Sequence, residues 1–213
     1  MQIEQGTLWE QFYSGDTQVF YPSEFAKSVL PQLTSGWDIL DVGCGNGRDS
    51  IFFANHGMNV TAVDRSQEAI LHIKKQEQKI HAVCGDFAVA PVFTAERYDS
   101  IYSRFFIHAL TAEQELALLE RCYVAIRQGG KLFIETRCTE DELCGVGERI
   151  SDTEWVMDGH YRRFVIPEQL TARLSSIGFT HIQSICARGF APFGNVDPVI
   201  LRITAEKESN GSK

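Results

Sequence analysis

Positive charge is scarce in this sequence. Against 28 Asp and Glu residues there are only 20 Lys and Arg, which gives a formal net charge of −8 at pH 7. This excess of negative charge disfavours electrostatic binding of nucleic acid over an extended surface. Apolar runs are also short, and none approaches the roughly 18 residues that a membrane-spanning helix requires. Because the first residues also lack the basic and then apolar pattern of a secretion signal, we expect a cytoplasmic protein that acts on a small molecule.

Paired cysteine motifs are absent too. The six cysteines include no C-x-x-C pair, and several lie in segments that have the pattern of a core strand or helix. We therefore interpret all six as reduced thiols. Cys138 and Cys144 lie close in sequence, but their spacing matches no common zinc pattern. The sequence predicts neither a bound metal nor a disulfide.

What the sequence does contain, from Trp37 onward, is an alternation of short apolar runs with segments of helical periodicity. This alternation is typical of βαβ units, and it predicts an α/β fold with a parallel sheet. The two strands nearest the C-terminus are expected to form a closing antiparallel pair. One long helix is predicted to begin with Thr111 as its N-cap and Gln114 as the capping-box partner, and to end at Gly129 and Gly130. A later helix is predicted to begin at Pro167.

No internal repeat divides the chain, so we expect one domain over residues 1–213. Periodicity fails over residues 138–166, a stretch rich in Gly, Asp, Glu and Arg that we interpret as an insertion over the functional site. Residues 207–213 are predicted to be a flexible, solvated tail.

A glycine-rich turn follows the first predicted strand, in the segment DVGCGNGRDS at residues 41–50. A strand, a glycine-rich turn and a helix open many nucleotide-binding units. Here Gly43, Gly45 and Gly47 give the spacing G-x-G-x-G, which lacks the third glycine of the dinucleotide fingerprint. Asp41 would also place a negative charge beside any pyrophosphate held by this turn. A ligand that carries positive charge suits the turn better.

Two further carboxylates end the next two predicted strands. Asp64 ends the second strand, where an acidic residue can accept hydrogen bonds from both hydroxyls of a ribose. Asp86 ends the third strand, where a carboxylate can accept from an exocyclic amine. Because open α/β sheets bind ligands at the carboxyl ends of their strands, these acids are expected to converge with Asp41. An adenosine with a cationic, amino-acid-bearing tail would satisfy all three.

The segments DVGCGNGRDS, VTAVDRS, VCGDF and IRQGGKLFIETR, between about residues 37 and 137, resemble the successive motifs of class I S-adenosylmethionine-dependent methyltransferases. GCGNGRDSIFFANHG is similar in particular to the tellurite-resistance-type and related small-molecule methyltransferases. The resemblance implies a Rossmann-like, doubly wound α/β/α sandwich whose seven-stranded sheet is mostly parallel with an antiparallel last strand. It also implies S-adenosylmethionine as the cofactor and S-adenosylhomocysteine as its product.

The same resemblance implies which residues bind the cofactor. Asp41 and the backbone of residues 43–47 would hold the methionine part, Asp64 the ribose, and Asp86 with Phe87 the adenine. The predicted cofactor site comprises Asp41, Gly43, Cys44, Gly45, Asn46, Gly47, Arg48, Asp64, Arg65, Ser66, Gly85, Asp86, Phe87, Ser103, Arg104 and Phe105.

In similar methyltransferases an N-terminal helix folds over the cofactor as a lid, which implies a helical lid within residues 1–36. Phe20 or Tyr21 would then shield the sulfonium, in part by cation–π contact. The alternative is a helix that covers only the edge of the sheet.

Methyl transfer from a sulfonium requires a positioned acceptor and exclusion of water, with no covalent enzyme intermediate. We therefore expect a substrate pocket at the ends of the fourth and fifth strands, beneath the insertion. Several arginines of this acidic chain fall there, which suggests an anionic substrate, a carboxylate or a phosphate. His108 and His160 are the candidate proton acceptors if the methyl acceptor is neutral. The predicted substrate site comprises Tyr21, Arg104, His108, Arg137, His160, Tyr161, Arg162 and Arg163.

Structural alternatives stand beside these assignments. His108 could cap or pack a helix start, and Arg48 and Asp49 could lie on a helix surface. The arginines could pair with nearby carboxylates instead. Those carboxylates are Glu140, Asp141, Glu142 and Asp158.

For function, we expect O-methylation of an anionic or hydroxylated small molecule by a monomer or homodimer. The alternatives are N-methylation of a small metabolite, a non-catalytic cofactor-binding protein and an NAD-dependent oxidoreductase. A nucleic-acid methyltransferase is disfavoured by the acidic balance and by the absence of an N/D-P-P-Y/F motif.

Overall fold

The computed structural model describes residues 21–76, 79–87 and 90–209. Its helices are α1 Glu24–Val29, α2 Arg48–Asn55, α3 Gln67–Gln76, α4 Ala112–Ala125 and α5 Pro167–Ile177, with 3-10 turns at Leu30–Gln32 and Ile107–Ala109. Its strands are β1 Asp38–Val42, β2 Asn59–Asp64, β3 His81–Cys84, β4 Tyr98–Arg104, β5 Ile126–Arg137, β6 Glu148–Arg149, β7 Glu154–Met157, β8 His160–Arg163, β9 Phe179–Ala187 and β10 Ile200–Lys207.

Seven strands form the main sheet, in the order β3-β2-β1-β4-β5-β10-β9. The first five strands pair in parallel, whereas β10 is antiparallel to both of its neighbours. The predicted mostly parallel sheet with an antiparallel last strand is confirmed. The strand order changes direction between β1 and β4, and such a switch point leaves a crevice beyond the carboxyl ends of the strands.

Helices cover both faces of the sheet. On one face, Phe25 of α1, Phe53 of α2 and Ile73 of α3 share a core cluster with the strands. On the other face, Leu118 of α4 and Leu170 of α5 belong to a second cluster. Successive strand side chains point to opposite faces, so the central strands β1, β4 and β5 each supply residues to both clusters. The predicted α/β/α sandwich is confirmed.

The helix that starts at Thr111 is shorter than predicted. Its N-terminus has the expected capping box, in which the Thr111 side chain accepts from the backbone of Gln114 and the Gln114 side chain accepts from that of Thr111. The prediction of an end at Gly129 and Gly130 is wrong, because α4 stops at Ala125 and Ile126 already pairs with Tyr98. The glycines lie in an irregularity of β5, before regular pairing resumes at Lys131.

Residues 138–166 contain regular structure that the sequence did not predict. Strands β6, β7 and β8 form a small antiparallel sheet of their own. These strands are only two to four residues long, and most of their residues are half-buried or exposed. A short segment without a buried face carries no readable alternation, which is why the sequence pattern failed there.

The prediction that Lys207 belongs to a solvated tail is wrong. Lys207 is the last residue of β10, and its Nζ donates to the backbone oxygens of Tyr123 and Ile126 at 3.1 and 2.8 Å. The strand therefore takes the first residue of the predicted tail, and residues 210–213 lie outside the described part of the chain.

All six cysteines are free thiols, and the Sγ atoms of Cys138 and Cys186 lie 3.7 Å apart. Within the described ranges, no group of three or more His, Cys, Asp or Glu side chains is placed to hold a metal ion. Over the same residues, no helix combines the length and apolar character that crossing a membrane demands.

Candidate functional site

The glycine turn between β1 and α2 is held against the end of β2. The backbone N–H groups of Gly43 and Cys44 both donate to the carbonyl of Val63, at 2.9 and 3.2 Å. Gly43 has a φ of +72°, and a Cβ at this position would lie 2.5 Å from Cγ of Phe106. Both the backbone conformation and the close contact therefore require glycine at this position.

Asp41 lies beside this turn and is almost completely buried. Its carboxylate is 2% exposed, and Oδ2 accepts a hydrogen bond from Ser50 Oγ at 2.6 Å. Burial raises the pKa of Asp41 to about 7, and the neighbouring Asp49 and Asp64 act in the same direction. The carboxyl group therefore changes its charge near neutral pH, and a cation beside it would favour the ionised form.

Asp64 connects the glycine turn to the start of α3. Its Oδ2 accepts from the N–H of Gly45 and its Oδ1 from the N–H of Ser66, both at 2.9 Å. Burial raises the pKa of Asp64, while these two backbone donors act against the rise. Each carboxylate oxygen has a second lone pair, so the group can still accept from a ligand.

A cleft opens beside Asp64 at the carboxyl ends of the strands, and six of the predicted cofactor residues line it. Sequence reasoning missed Phe106, whose ring meets that of Phe87 edge-on with centroids 5.8 Å apart. It also missed the contribution of Gln114, which the sequence showed only as a capping residue. The cleft is lined by Val42, Gly43, Val63, Asp64, Arg65, Gly85, Asp86, Phe87, Phe106, Ala109, Leu110 and Gln114.

The remaining residues predicted to bind the cofactor around the turn mainly contact other residues of the protein. Ser66 is 1% exposed and its Oγ accepts from the N–H of Ala69, which caps α3. The Cys44 thiol is half-buried, and burial raises its pKa well above the usual value. Arg48 Nε lies 3.8 Å from Asp49 Oδ1, and Gly47 is the N-cap of α2. Asn46 lies between the glycines and is half-buried.

Asp49 has a buried, hydrogen-bonded carboxylate that sequence reasoning did not predict. Its carboxylate accepts from the N–H and the hydroxyl of Ser23 and from the hydroxyl of Tyr102, each at 2.8 Å. The alternative of a helix-surface position for Asp49 is therefore wrong, since the side chain joins α1, α2 and β4. This contact fixes the described part of the predicted lid against the core. Phe20 lies outside the described residues, and Tyr21 is 79% exposed.

A row of charged side chains crosses three strands next to the turn. Glu135 of β5 is paired in register with Arg104 of β4 and with Arg202 of β10. The fully buried Glu135 carboxylate accepts from Nε of both arginines at 2.7 Å. Beside this row, Phe105 has a φ of +49°, a conformation that is costly for an aromatic residue and that concentrates at functional sites.

The arginines predicted to bind substrate differ in their contacts. Arg137 pairs with the buried Asp141. Arg163 is 6% exposed, donates from Nε to the carbonyl of Leu110 at 2.8 Å and pairs with Glu115. Its guanidinium therefore anchors β8 to the turn after β4. Arg162 is half-buried, and its pKa is lowered by burial and by the nearby Arg137.

His108, His160 and Tyr161 of the predicted substrate site differ in their burial and in their contacts. His108 is 7% exposed, and its ring meets that of Phe105 edge-on at 5.8 Å. Burial, with help from nearby arginines, lowers the pKa of His108 to about 3. His160 and Tyr161 are half-buried on β8, where the Tyr161 hydroxyl donates to Glu154 at 2.6 Å. The structure therefore brings His108 and the arginines to one end of the sheet but gives Tyr161 an internal partner.

Comparison with known proteins identifies the family. Residues 39–130, which hold the glycine turn and all three strand-end acids, match the family described as methyltransferase domain. The matched segment is a methyltransferase domain. The ubiquinone biosynthesis O-methyltransferase of Coxiella burnetii is 34% identical over 115 residues, which cover 52% of this chain and 48% of that protein. The chain spans about half the length of the curated relatives it matches.

Solved structures agree on the fold of this domain. A methyltransferase from Methanosarcina mazei matches with a TM-score of 0.75 at 16% identity, covering 86% of this chain and 98% of that one. The 1,6-didemethyltoxoflavin N1-methyltransferase of Burkholderia thailandensis, solved with bound 1,6-didemethyltoxoflavin and S-adenosylhomocysteine, matches with a TM-score of 0.67 at 20% identity, covering 87% and 77%. The predicted family is confirmed, although the comparisons do not single out its tellurite-resistance type.

Proposed function

We propose that this chain is an S-adenosylmethionine-dependent methyltransferase that O-methylates a small anionic or hydroxylated metabolite. The observation that carries the proposal is the position of Asp41, Asp64 and Asp86 at the ends of three neighbouring strands, around a turn that requires glycine. Carboxylates in this arrangement attract a cationic nucleoside and repel a diphosphate. The Coxiella relative is an O-methyltransferase, which supports oxygen as the acceptor. A cytoplasmic location and a monomeric or homodimeric state stay predictions.

The residues present fit the cofactor. When bound, it supplies a methyl group on a positively charged sulfur. In the proposal, Asp41 binds the ammonium group of its methionine part, Asp64 accepts from the ribose hydroxyls and Asp86 accepts from the adenine amine. Phe87 and Phe106 provide the apolar contact for the base. The chain then has to hold the acceptor atom in line with the methyl group and to exclude water.

Calorimetry with S-adenosylhomocysteine and with NADH tests the binding part of the proposal. We expect S-adenosylhomocysteine to bind and NADH not to bind, because the charge of Asp41 opposes a pyrophosphate. Turnover is then measured as formation of S-adenosylhomocysteine with a panel of small metabolites. Binding of NADH alone would contradict the proposal, and binding of S-adenosylhomocysteine without any turnover would favour a non-catalytic protein.

The raised pKa of Asp41 makes a pH-dependent affinity a specific expectation. Only the ionised carboxylate attracts the ammonium group, and with a pKa of about 7 its ionised fraction grows as the pH rises through neutrality. The affinity for S-adenosylhomocysteine should therefore increase by about eightfold between pH 6.0 and 7.5. Calorimetry at both pH values checks this change.

5′-Methylthioadenosine is the matched control ligand because it has no ammonium group. Its affinity should change little over the same pH interval, and Asp41→Asn should remove the pH dependence for S-adenosylhomocysteine. An equal pH dependence for the two ligands would show that Asp41 is not its source.

A further inference from the structure

The substrate end of the site holds buried hydrogen-bonding groups that have no partner within the described part of the chain. They are Ser103 Oγ at the end of β4, Thr136 Oγ1 near the end of β5 and His108 Nδ1 on the turn after β4. Ser103, Thr136 and His108 are 4%, 0% and 7% exposed. Buried polar groups are almost always hydrogen-bonded. Three such groups without a hydrogen-bond partner at one edge of the sheet therefore indicate a ligand that supplies the missing partners.

The same edge carries positive charge that is only partly balanced. Arg137 pairs with Asp141, and Arg163 pairs with Glu115. Arg162, by contrast, is in none of the salt bridges formed among the described residues. It is half-buried, and burial and the nearby Arg137 lower its pKa, while Asp141 and Asp158 act in the opposite direction. A partly buried cation next to a second cation favours an anion between them.

The carboxylates at this end are poorly suited to accept a proton. Glu135 accepts hydrogen bonds from Arg104 and Arg202, and Asp141 accepts from Arg137 and from the N–H of Leu143. Both carboxylates therefore already serve as counterions. Protonating either one would leave half-buried arginines without their counterion.

His108 is an equally weak base in this environment. Burial and three surrounding arginines, Arg137, Arg162 and Arg163, lower its pKa to about 3. A base this weak gives little help in removing a proton from an alcohol near pH 7. The neutral ring can instead donate one N–H, as the hydroxyls of Ser103 and Thr136 can.

We propose that the methyl acceptor is itself an oxyanion, a carboxylate or phosphate oxygen held by Arg162 and by the buried donors Ser103, Thr136 and His108, with no side chain acting as a base. This inference rests on the proposed function and deepens it. A lone pair of the anionic oxygen forms the new O–C bond, while the C–S bond to the methyl group breaks and its electron pair passes to sulfur. No proton is transferred, and the charges of the acceptor and the sulfonium cancel.

Pairs of probes that are matched in shape and differ in charge test the proposal on the full chain. Such pairs are benzoate with benzamide, succinate with succinamide, and glucose 6-phosphate with glucose, within a wider panel of acids and their neutral partners. Binding to protein saturated with S-adenosylhomocysteine is measured by calorimetry, and transfer is measured with tritiated S-adenosylmethionine. We expect binding and transfer for anionic members only.

The chemistry of the product separates the two sources of the oxyanion. A carboxyl ester releases volatile labelled methanol in mild alkali, whereas a phosphate ester does not and shows methyl coupling in its phosphorus NMR spectrum. A base-stable ether or N-methyl product, or neither binding nor transfer with any acid, overturns the inference. If transfer goes only to neutral acceptors, the inference is overturned but the proposed function is retained. Failure to bind S-adenosylhomocysteine would contradict both the inference and the proposed function.

The pH profile of kcat at saturating cofactor gives an independent readout. The acceptor is ionised from pH 6 to 9 in this proposal, so kcat should be level over that range in the unmodified protein. The profile should keep this shape in His108→Gln and His160→Gln, whatever their rates. A limb that rises with pH and disappears in either variant would identify a base and overturn the inference.

Arg162→Gln should lower kcat/KM for an anionic acceptor by about 100-fold, mainly through KM, which is the scale of a charge-assisted contact. Arg162→Lys should recover part of this loss because it restores the charge without the planar guanidinium. The matched control is Arg149→Gln, since Arg149 is exposed on β6 and pairs only locally with Asp152. Equal effects of Arg162→Gln and Arg149→Gln, with the affinity for S-adenosylhomocysteine retained, would overturn the assignment.

Discussion

Glu115→Gln is expected to lower the free energy of unfolding by about 3–5 kcal/mol, the usual cost of breaking a buried ion pair. Glu115 is 0% exposed, and its two carboxylate oxygens accept hydrogen bonds from Arg163 and Arg173. Glutamine keeps the shape of the side chain but removes its charge. The guanidinium of Arg163, itself 6% exposed, then lacks its counterion.

Urea unfolding measured by circular dichroism checks this expectation. Glu120→Gln is the matched control because Glu120 is exposed on the same helix, α4. The control should change the free energy of unfolding by less than about 0.5 kcal/mol. A loss below about 1 kcal/mol for Glu115→Gln would mean that the pair contributes no more than a surface salt bridge.

Asp64→Ala is expected to weaken the binding of S-adenosylhomocysteine by roughly 5-fold to 150-fold, which corresponds to about 1–3 kcal/mol for lost charge-assisted hydrogen bonds. Two causes act together. The proposed hydrogen bonds to the ribose are removed, and the N–H groups of Gly45 and Ser66 lose the carboxylate that holds the glycine turn in place.

A double-mutant cycle separates these causes. A 2′-deoxy analogue of S-adenosylhomocysteine should bind more weakly than the parent compound to the unmodified protein, but not to Asp64→Ala. Glu68→Ala, at an exposed carboxylate in the first turn of α3, should change the affinity by less than about twofold. If both proteins discriminate equally between the two ligands, Asp64 does not bind the ribose.

The local sequence pattern was sufficient to predict most elements of the main sheet and its helices. The alternation of apolar runs with amphipathic segments gave the five parallel strands, and the Thr111 capping box and Pro167 gave the starts of α4 and α5. These signals depend on residues close in sequence, so they can be read without the rest of the chain. The end of α4 was missed because the buried pairing of Ile126 with Tyr98 overrides the two glycines that follow.

The buried charges show the limits of reading a sequence. Glu115 lies on the same helical face as Leu118, Leu119 and Cys122, a spacing that marks it as buried. The sequence thus contained a signal for its burial, but none for its partners. Arg163 and Arg173 are 48 and 58 residues away along the chain, and only the packing of β8 and α5 against α4 brings them to it.

The glycine spacing and the carboxylates that follow successive strands determined, by themselves, that Asp41, Asp64 and Asp86 meet at one edge of the sheet, because parallel strands must end at the same edge. The contacts of the residues predicted to bind substrate were decided by tertiary structure alone. Burial lowers the pKa of His108, and Arg137 and Arg163 form salt bridges, whereas Arg162 forms none among the described residues. The charge and proton affinity of a side chain depend on what surrounds it, and those surroundings come from segments distant in sequence.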